Sequence, residues 1–473
     1  MVMGEATIET QVAVIGGGPG GYAAAFHAAD RGLNVTLIDR QARLGGVCLF
    51  QGCIPSKVLL YLTELILDAG RAGDMGVRFG APEIDVDGVN AWKDKTVERL
   101  GKGLMSLGER RDIQILEGDA VLESSTEVRV QNAETTHVTF EHAILATGSH
   151  PRALPRSEFR SGGRIMSSDT ALALADIPDK LLVVGAGHIG IGLASVYAAL
   201  GSQVTIVEQL KEILPGVDRD LVRPLERHTR ELFAAIHTGV EVTGLKERDD
   251  YVDVTLEGEL DEPEQRFDRV LVAIGRTPNS STLGLDNTQV ETDEQGFVQV
   301  DEQCRTADER IYAVGDLTGG MMLAHKALYE GVVAAGAIAG EPVALDARAI
   351  PTVIYTHPAI AWAGLTEQQA KELGRDVLVT RFPWRASGRA LTNDSSEGLT
   401  KLVLDPDTRR ILGIGIVGRN ADELIAEGVL AIEMGAVAED LAFSVHPHPT
   451  LSETVKEAAA AAMGAPIHIL PPR

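Results

Sequence analysis

The sequence predicts an α/β chain: two parallel βαβ units, each with an antiparallel insert, followed by an α+β segment of different pattern. Three observations predict it. A strand, glycine turn, helix and strand occur in that order twice. Alternating strands follow each occurrence. From about Ala349, strands and helices continue without a glycine fingerprint. At 473 residues, 44% of them hydrophobic, the chain can bury a large core but is too long for one domain. Its 50 glycines and its many Val, Ile and Ala runs suit tight strand-to-helix turns.

The first unit is "TQVAVIGGGPGGYAAAFHAADRGLNVTLIDR". A β-branched run leads into a glycine turn, an alanine-rich helix and a second apolar run ending at Asp39. Gly16, Gly18 and Gly21 stand in G-x-G-x-x-G spacing. The first permits the tight turn, the second lets a pyrophosphate approach the backbone, and the third lets helix pack on strand. Free N–H groups at the helix start favour the negative charge. Asp39 can accept from a ribose hydroxyl. The alternative is an ordinary glycine-rich turn. "KLLVVGAGHIGIGLASVYAALGSQVTIVEQ" repeats the pattern with Gly185, Gly187 and Gly190, and Glu208 ends its second strand. A carboxylate there welcomes a 2′-hydroxyl and repels a 2′-phosphate, so NAD is expected rather than NADP. The chain thus reads as two Rossmann-like dinucleotide-binding domains. "AVLESSTEVRVQNAETTHVTF" and "VEVTGLKERDDYVDVTLEGEL" supply the antiparallel inserts, and "HAILATGSHPRALP", "DRVLVAIGRTPN" and "RIYAVGDLTGG" end on buried apolar strands.

Charge and composition narrow the class. Forty-three basic against 68 acidic residues give a net charge of −25, which excludes nucleic acid as the expected partner. A solubilising surface, such as a saline habitat selects, is the plain reading; attraction for a basic partner protein is the other. The N-terminus has no positively charged head or cleavage signal, and no stretch reaches about 18–20 unbroken apolar residues. No membrane association is expected. Three cysteines make no disulfide scaffold, so a reducing cytoplasm is the expected compartment.

Two of those cysteines, Cys48 and Cys53, stand in "GGVCLFQGCIPSK". A helix is expected from Cys53, with Pro55 in its first turn and Leu59, Leu62 and Ile66 on its apolar face. A helix N-terminus and Lys57 one turn along both favour a thiolate at Cys53, with Cys48 in the preceding loop able to fold back onto it. A redox pair is one reading. Two structural thiols, or half a metal site without nearby further ligands, are the others. Far along the chain, "FSVHPHPTLSETVKEA" places His446 near His448 and Glu453 five residues beyond. With Thr450 or Ser452 as helix cap, Glu453 can fold back on the imidazole and raise its basicity, as thiol chemistry needs. Two surface histidines beside a cap is the alternative.

"GGVCLFQGCIPSK", "ILATGS", both glycine fingerprints, "AIGRTPN", "IYAVGD", "LAHKALYEG" and "HPHPTLSE" occur in order, and over nearly its whole length the chain resembles the flavin-dependent pyridine-nucleotide disulfide oxidoreductases. Within that family it is most similar to the branch oxidising dihydrolipoyl groups. The resemblance implies FAD on the first fold, held by Gly16, Gly18, Gly21, Asp39, Lys57, Thr147, Gly148, Asp316, Ala324 and His325. It implies NAD on the second, at Gly185, Gly187, Gly190, Glu208 and Gly275. It makes Cys48 the thiol that meets the substrate, Cys53 the thiolate against the flavin, and His448, held by Glu453, the base. That pair comes from the other subunit in the family, so a homodimer is implied, with a lipoyl-bearing protein domain as partner. The implied division is FAD-binding 1–150, NAD-binding 151–279, a central part completing the FAD site over 280–348, and a C-terminal α+β dimerisation domain over 349–473.

Some positions depart from the family. Gly192 stands where a glutamate commonly pairs with the lysine of the CIPSK motif, and His188 where Tyr or Val is common. Phe50 and Gln51 replace the usual Asn-Val between the cysteines. Altered NAD handling or flavin potential is expected, with Gly192→Glu raising NAD⁺ turnover. Cys304 belongs to no motif and reads as packing. Two other functions stay open: a reductase of another disulfide, and a flavoprotein with a binding or assembly role.

Overall fold

The computed structural model describes residues 7–131 and 137–471. The N-terminal reading at residues 1–6 and the part of the first strand insert at 132–136 lie outside the described residues.

Strand β1 (Thr7–Ile15), helix α1 (Pro19–Asp30) and strand β2 (Val35–Asp39) form the first βαβ unit, with Val12 opposite Val35 in parallel register. Pro19 opens α1, where a missing N–H costs no intrahelical bond. The strand His137–Leu145 lies parallel to β1 on its other side. Its beginning pairs antiparallel with Glu127–Gln131, which pairs in turn with Asp119–Ser124. The first insert is therefore continuous with the parallel sheet. The short strand Ile311–Ala313 joins the same sheet alongside Ala143–Leu145. The helix following it, Ala324–Ile338, crosses α1 so closely that a Cβ on Gly331 would meet the Gly20 carbonyl oxygen at 2.3 Å.

The second unit has its own parallel sheet, ordered Ala235–Thr238, Gln203–Glu208, Lys180–Val184, Arg269–Val272, Ile165–Met166. Its insert is a separate antiparallel sheet of Glu241–Glu247, Val252–Glu257 and Glu264–Phe267. The last segment is a five-stranded antiparallel sheet covered by Ala421–Glu433, Ala438–Phe443 and the alanine-rich Glu453–Ala462. This α/β arrangement agrees with the fold class expected from the sequence. Buried Val, Ile, Leu and Ala fill the sheets' inner faces. Each fully buried branched side chain contributes roughly 1.5–3 kcal/mol.

The cysteine segment is two helices: α2 (Gly46–Gln51) and α3 (Cys53–Arg71). Together they are long and apolar enough, with mean hydropathy 1.3, to pass as a membrane span by composition. However, α3 carries Lys57, Glu64, Asp68 and Arg71, and its Leu59 is buried in the same apolar cluster as Ile191 and Leu193 of the second unit.

At the far end of α3 three parts of the chain meet on one guanidinium. Arg71 Nη1 donates to His357 Nε2 at 3.1 Å, and Nη2 donates to His228 Nδ1 at 3.1 Å. Burial, then the charge of Arg71, pushes His357 down to about 4. The unfolded chain, with an imidazole near 6.5, binds more protons than the folded one between these values. Stability from this site is full above about pH 6.5 and is lost as pH falls towards 4, by up to roughly 3 kcal/mol. We expect the urea midpoint to fall between pH 7 and pH 5, and the fall to shrink in His357→Asn. An equal fall in both proteins would refute the assignment.

Candidate functional site

The glycine turns explain how the two folds make room for ligands. At the first turn a Cβ on Gly16 would lie 2.3 Å from the Ala146 carbonyl oxygen, and one on Gly21 1.8 Å from that of Gly16. Nothing lies within 4 Å of the Cβ position at Gly18. The second turn repeats this. Gly185 and Gly190 are blocked by backbone at 2.5 and 2.0 Å, while Gly187 faces open space. In each, backbone closes around the outer glycines and leaves the middle one open to a phosphate.

The strand-end acids follow the same duplicated plan. Asp39 accepts from the N–H groups of Gly17 at 2.8 Å and Gln41 at 2.9 Å. Glu208 accepts from those of Ala186 and Leu210, both at 2.8 Å. Each carboxylate is fixed by its own loop and keeps lone pairs for a ribose.

A cavity of about 950 Å³ begins at the first glycine turn. Gly16, Gly18, Asp39, Cys48, Cys53, Lys57, Thr147, Gly148, Asp316, Ala324 and His325 all line it, with His188 and Gly192 at its border with the second unit. Thr147 and Gly148 are clipped to Asn279: the Thr147 hydroxyl donates to its carbonyl at 2.9 Å, and the Asn279 N–H donates to the Gly148 carbonyl at 2.9 Å. Asp316 accepts from the Ser149 hydroxyl at 2.5 Å. His325 donates from Nε2 to the Pro351 carbonyl at 2.7 Å, which fixes the start of its helix against the C-terminal segment. Gly185, Gly187, Gly190, Glu208 and Gly275 lie outside this cavity, at the second unit's own turns.

The thiols sit where the two helices join. Cys48 lies within α2 rather than in a loop. Gly45 and Gly46 make that possible: their φ values of 134° and 56° suit glycine, and a Cβ on Gly46 would strike the Gly18 Cα at 2.6 Å. The cysteine segment is thus pressed onto the first glycine turn. Cys53 is the first residue of α3, where unpaired N–H groups favour an anion. Both cysteines are free thiols. The Cys48 thiol donates to Cys53, and with Lys57 it brings Cys53 down to about 7 against the opposing effect of burial. The same hydrogen bond, then burial, raises Cys48. The two shifts run in opposite directions, so Cys53 is the sulfur the site favours as a thiolate.

Lys57 stands one turn after Cys53. Burial lowers its pKa, and the charges of the two cysteines and Asp422 oppose that. Its Nζ lies 3.6 Å from the centroid of the Tyr355 ring. Tyr355 had no signal in the sequence, because the contact joins distant segments. Arg276 was also passed over, although it stands in the quoted "AIGRTPN". It donates to the Ser149 hydroxyl at 2.7 Å and lies 3.9 Å from both Asp169 and Asp316.

His448 and Glu453 form their pair elsewhere. The His448 Nδ1–H donates to Glu453 Oε1 at 3.0 Å, which leaves Nε2 as the basic nitrogen. Glu453 Oε2 accepts from the Thr450 N–H at 3.0 Å. Burial alone would raise the Glu453 pKa, but these bonds hold it below its ordinary value. Neither Thr450 nor Ser452 caps the helix with its side chain; the Thr450 hydroxyl donates to Pro447 instead, and Glu453 turns back to take the free N–H. The His448 side chain is 75% exposed and lies outside the cavity of the thiols. One chain therefore does not bring this pair to Cys48 and Cys53. His446 is tied to Glu427 at 2.7 Å, and Cys304 is buried against the Glu330 carbonyl.

Residues 10–331 match the pyridine nucleotide-disulphide oxidoreductase family, and residues 350–459 match the dimerisation domain of that name. Dihydrolipoyl dehydrogenase 2 of Haloarcula marismortui is 46% identical over 99% of this chain and 100% of its own. Dihydrolipoyl dehydrogenase of Geobacillus stearothermophilus is 42% identical over 99% and 100%. Among solved structures, LpdA of Mycobacterium tuberculosis superposes with a TM-score of 0.88 at 27% identity, covering 95% of this chain and 99% of its own. The flavoprotein disulfide reductase RclA of Escherichia coli gives 0.84 at 26%, covering 95% and 99%.

Proposed function

The chain belongs to the pyridine nucleotide-disulphide oxidoreductase family, and on that premise we propose a role for each part of its site in dihydrolipoyl dehydrogenase chemistry. The enzyme uses FAD and NAD and oxidises dihydrolipoyl groups with reduction of NAD⁺. The open faces of Gly18 and Gly187, each between two blocked glycines, fit a dinucleotide diphosphate. Gly16, Gly18, Gly21, Asp39, Lys57, Thr147, Gly148, Asp316, Ala324 and His325 would hold FAD. Gly185, Gly187, Gly190, Glu208 and Gly275 would hold NAD, with the Glu208 carboxylate repelling a 2′-phosphate. Bound flavin supplies a two-electron acceptor whose reduced form gives hydride to NAD⁺.

The residues do the sulfur chemistry. With Cys48 and Cys53 joined as a disulfide, His448 takes the proton from one dihydrolipoyl thiol. The resulting thiolate attacks the Cys48 sulfur, forming a mixed disulfide, and Cys53 leaves as a thiolate. The second dihydrolipoyl thiol then passes its proton to Cys48 as its sulfur displaces that residue, and the oxidised lipoyl ring departs, leaving Cys48 as a thiol, Cys53 as a thiolate and His448 protonated. The observation carrying this assignment is the placement of the pair: Cys48 in α2 and Cys53 at the start of α3 line one cavity with Lys57, beside the first glycine turn.

The dimerisation domain supports a homodimer. The exposed His448 fits delivery to the thiols of a second copy, and Leu430, Met434, Phe443 and Val445 leave an apolar surface on the same segment. A lipoyl-bearing protein domain in the cytoplasm is the proposed partner, and the division at 1–150, 151–279, 280–348 and 349–473 is the proposed assignment of the parts. Anaerobic titration with dihydrolipoamide and then NAD⁺ tests the reading. A long-wavelength band that appears and then collapses as NADH forms is expected. A band that persists would locate the fault at the nicotinamide side, at Gly192 and His188. No band at all would overturn lipoamide as substrate and favour a different disulfide, the reading that the likeness to RclA supports.

A further inference from the structure

We infer that Tyr355 is a positioning residue for the thiol chemistry: its ring holds the Lys57 ammonium in place beside Cys53 without neutralising it. The inference rests on the assignment of Cys53 as the thiolate.

Geometry carries it. The Lys57 Nζ stands over the Tyr355 ring, 3.6 Å from the centroid, well inside the range in which a ring face attracts a cation. Lys57, Tyr355, both cysteines and Gly192 line the same cavity. Among the described residues Lys57 has no carboxylate within ion-pair distance, although it is largely withdrawn from water. A side chain at position 192 would have room: the nearest atom to a Cβ there is the Tyr355 carbonyl oxygen at 3.5 Å. Position 192 therefore has room for a side chain on the cavity that Lys57 lines, and Lys57 meets an aromatic face instead of an acid.

The two solutions differ electrically. A carboxylate fixes an ammonium but cancels most of its field. A ring fixes it through a quadrupole and leaves the full unit charge to act on the neighbouring sulfur. Other charged and titratable groups also face this centre: Cys48, Tyr22, Asp316, Asp422, Glu423 and His188. The hydrogen bond from Cys48 favours a thiolate at Cys53, burial and Asp316 oppose it, and Lys57 is the cation that favours it. Its placement therefore bears on where that thiol titrates, alongside the Cys48 hydrogen bond and burial.

The test is a pH titration of the long-wavelength thiolate band in the two-electron-reduced holoenzyme, which reads Cys53 without turnover. Tyr355→Leu is expected to move the midpoint up by about one pH unit, a tenfold loss of thiolate on the acidic side. Tyr355→Phe, which keeps the ring face, is expected to titrate like the parent. Gly192→Glu pairs Lys57 with an acid and is expected to raise the midpoint with Tyr355 intact, so it tests the idea even if Tyr355→Leu fails to fold. A Tyr355→Leu midpoint equal to the parent's would overturn the inference, as would an unmoved Gly192→Glu. If the parent shows no band at any pH, the thiolate assignment itself falls and this inference with it.

Discussion

His448→Gln is expected to lower dihydrolipoyl oxidation by NAD⁺ by about 10²–10⁴-fold, the usual contribution of a placed general base. Glutamine keeps a hydrogen-bonding group of similar size but cannot accept the thiol proton. The side chain is exposed and, among the described residues of its own chain, bonded only to Glu453, so FAD content and dimer mass should stay those of the parent. The thiolate band should survive as well, because Lys57 and the start of α3, which favour the Cys53 thiolate, belong to the chain that holds Cys53. Stopped-flow reduction by dihydrolipoamide is the direct measurement. A loss confined to the NAD⁺ half-reaction would refute the role. Mixing His448→Gln chains with Cys48→Ser chains gives a second check. If base and thiols come from different copies, the mixed dimer regains one working site; if they act within one chain, it regains none.

Lys401→Ala is expected to destabilise the protein by about 3–5 kcal/mol, the range for removing one member of a buried ion cluster. Lys401 is fully buried. Its Nζ donates to Asp218 at 2.6 Å, Asp220 at 2.7 Å and Glu367 at 3.3 Å. These carboxylates come from the second unit and from the C-terminal segment, so the ammonium ties the two together. Without it, among the described residues only Arg381 remains between Asp220 and Glu367. Burial alone would raise the Asp220 pKa, but Lys401 and Arg381 hold it below the ordinary carboxylate value. The stability this supplies is present above about pH 4 and lost as pH falls further, through the folded-state value. The penalty of Lys401→Ala should therefore be large in urea unfolding at pH 7 and shrink towards pH 3. A penalty independent of pH would mean that the side chain acts by packing alone.

The parts of the site visible in the sequence were those built from near neighbours. The glycine turns, the strand-end acids, the cysteine pair with Lys57, and His448 with Glu453 are each spaced within one or two turns or one βαβ unit. Spacing alone constrains their geometry. The same local reading placed Cys48 in a loop, because Gly45 and Gly46 look like loop residues when their contact with Gly18 is unseen. Contacts between distant segments left no trace in the sequence. Tyr355 over Lys57, Arg71 between two histidines, and Lys401 among three acids each join separate parts of the fold. A lone Tyr, Arg or Lys has no pattern that names its partner. The continuity of the first insert with the first sheet was hidden for the same reason, since strand order depends on pairings outside the segment.

The strand Ile311–Ala313 has a consequence for how the chain is made. Until it emerges from the ribosome, the Ala143–Leu145 edge lacks its neighbour, and the face of α1 at Gly20 lacks the helix Ala324–Ile338. The second unit has the strands of its own sheet by Val272. Although second in the sequence, it can close before the first. The N-terminal half waits with an open sheet edge, the kind of surface that other chains pair with. Newly made chains thus carry this open edge until the arrival of residue 313, after the second sheet has its strands.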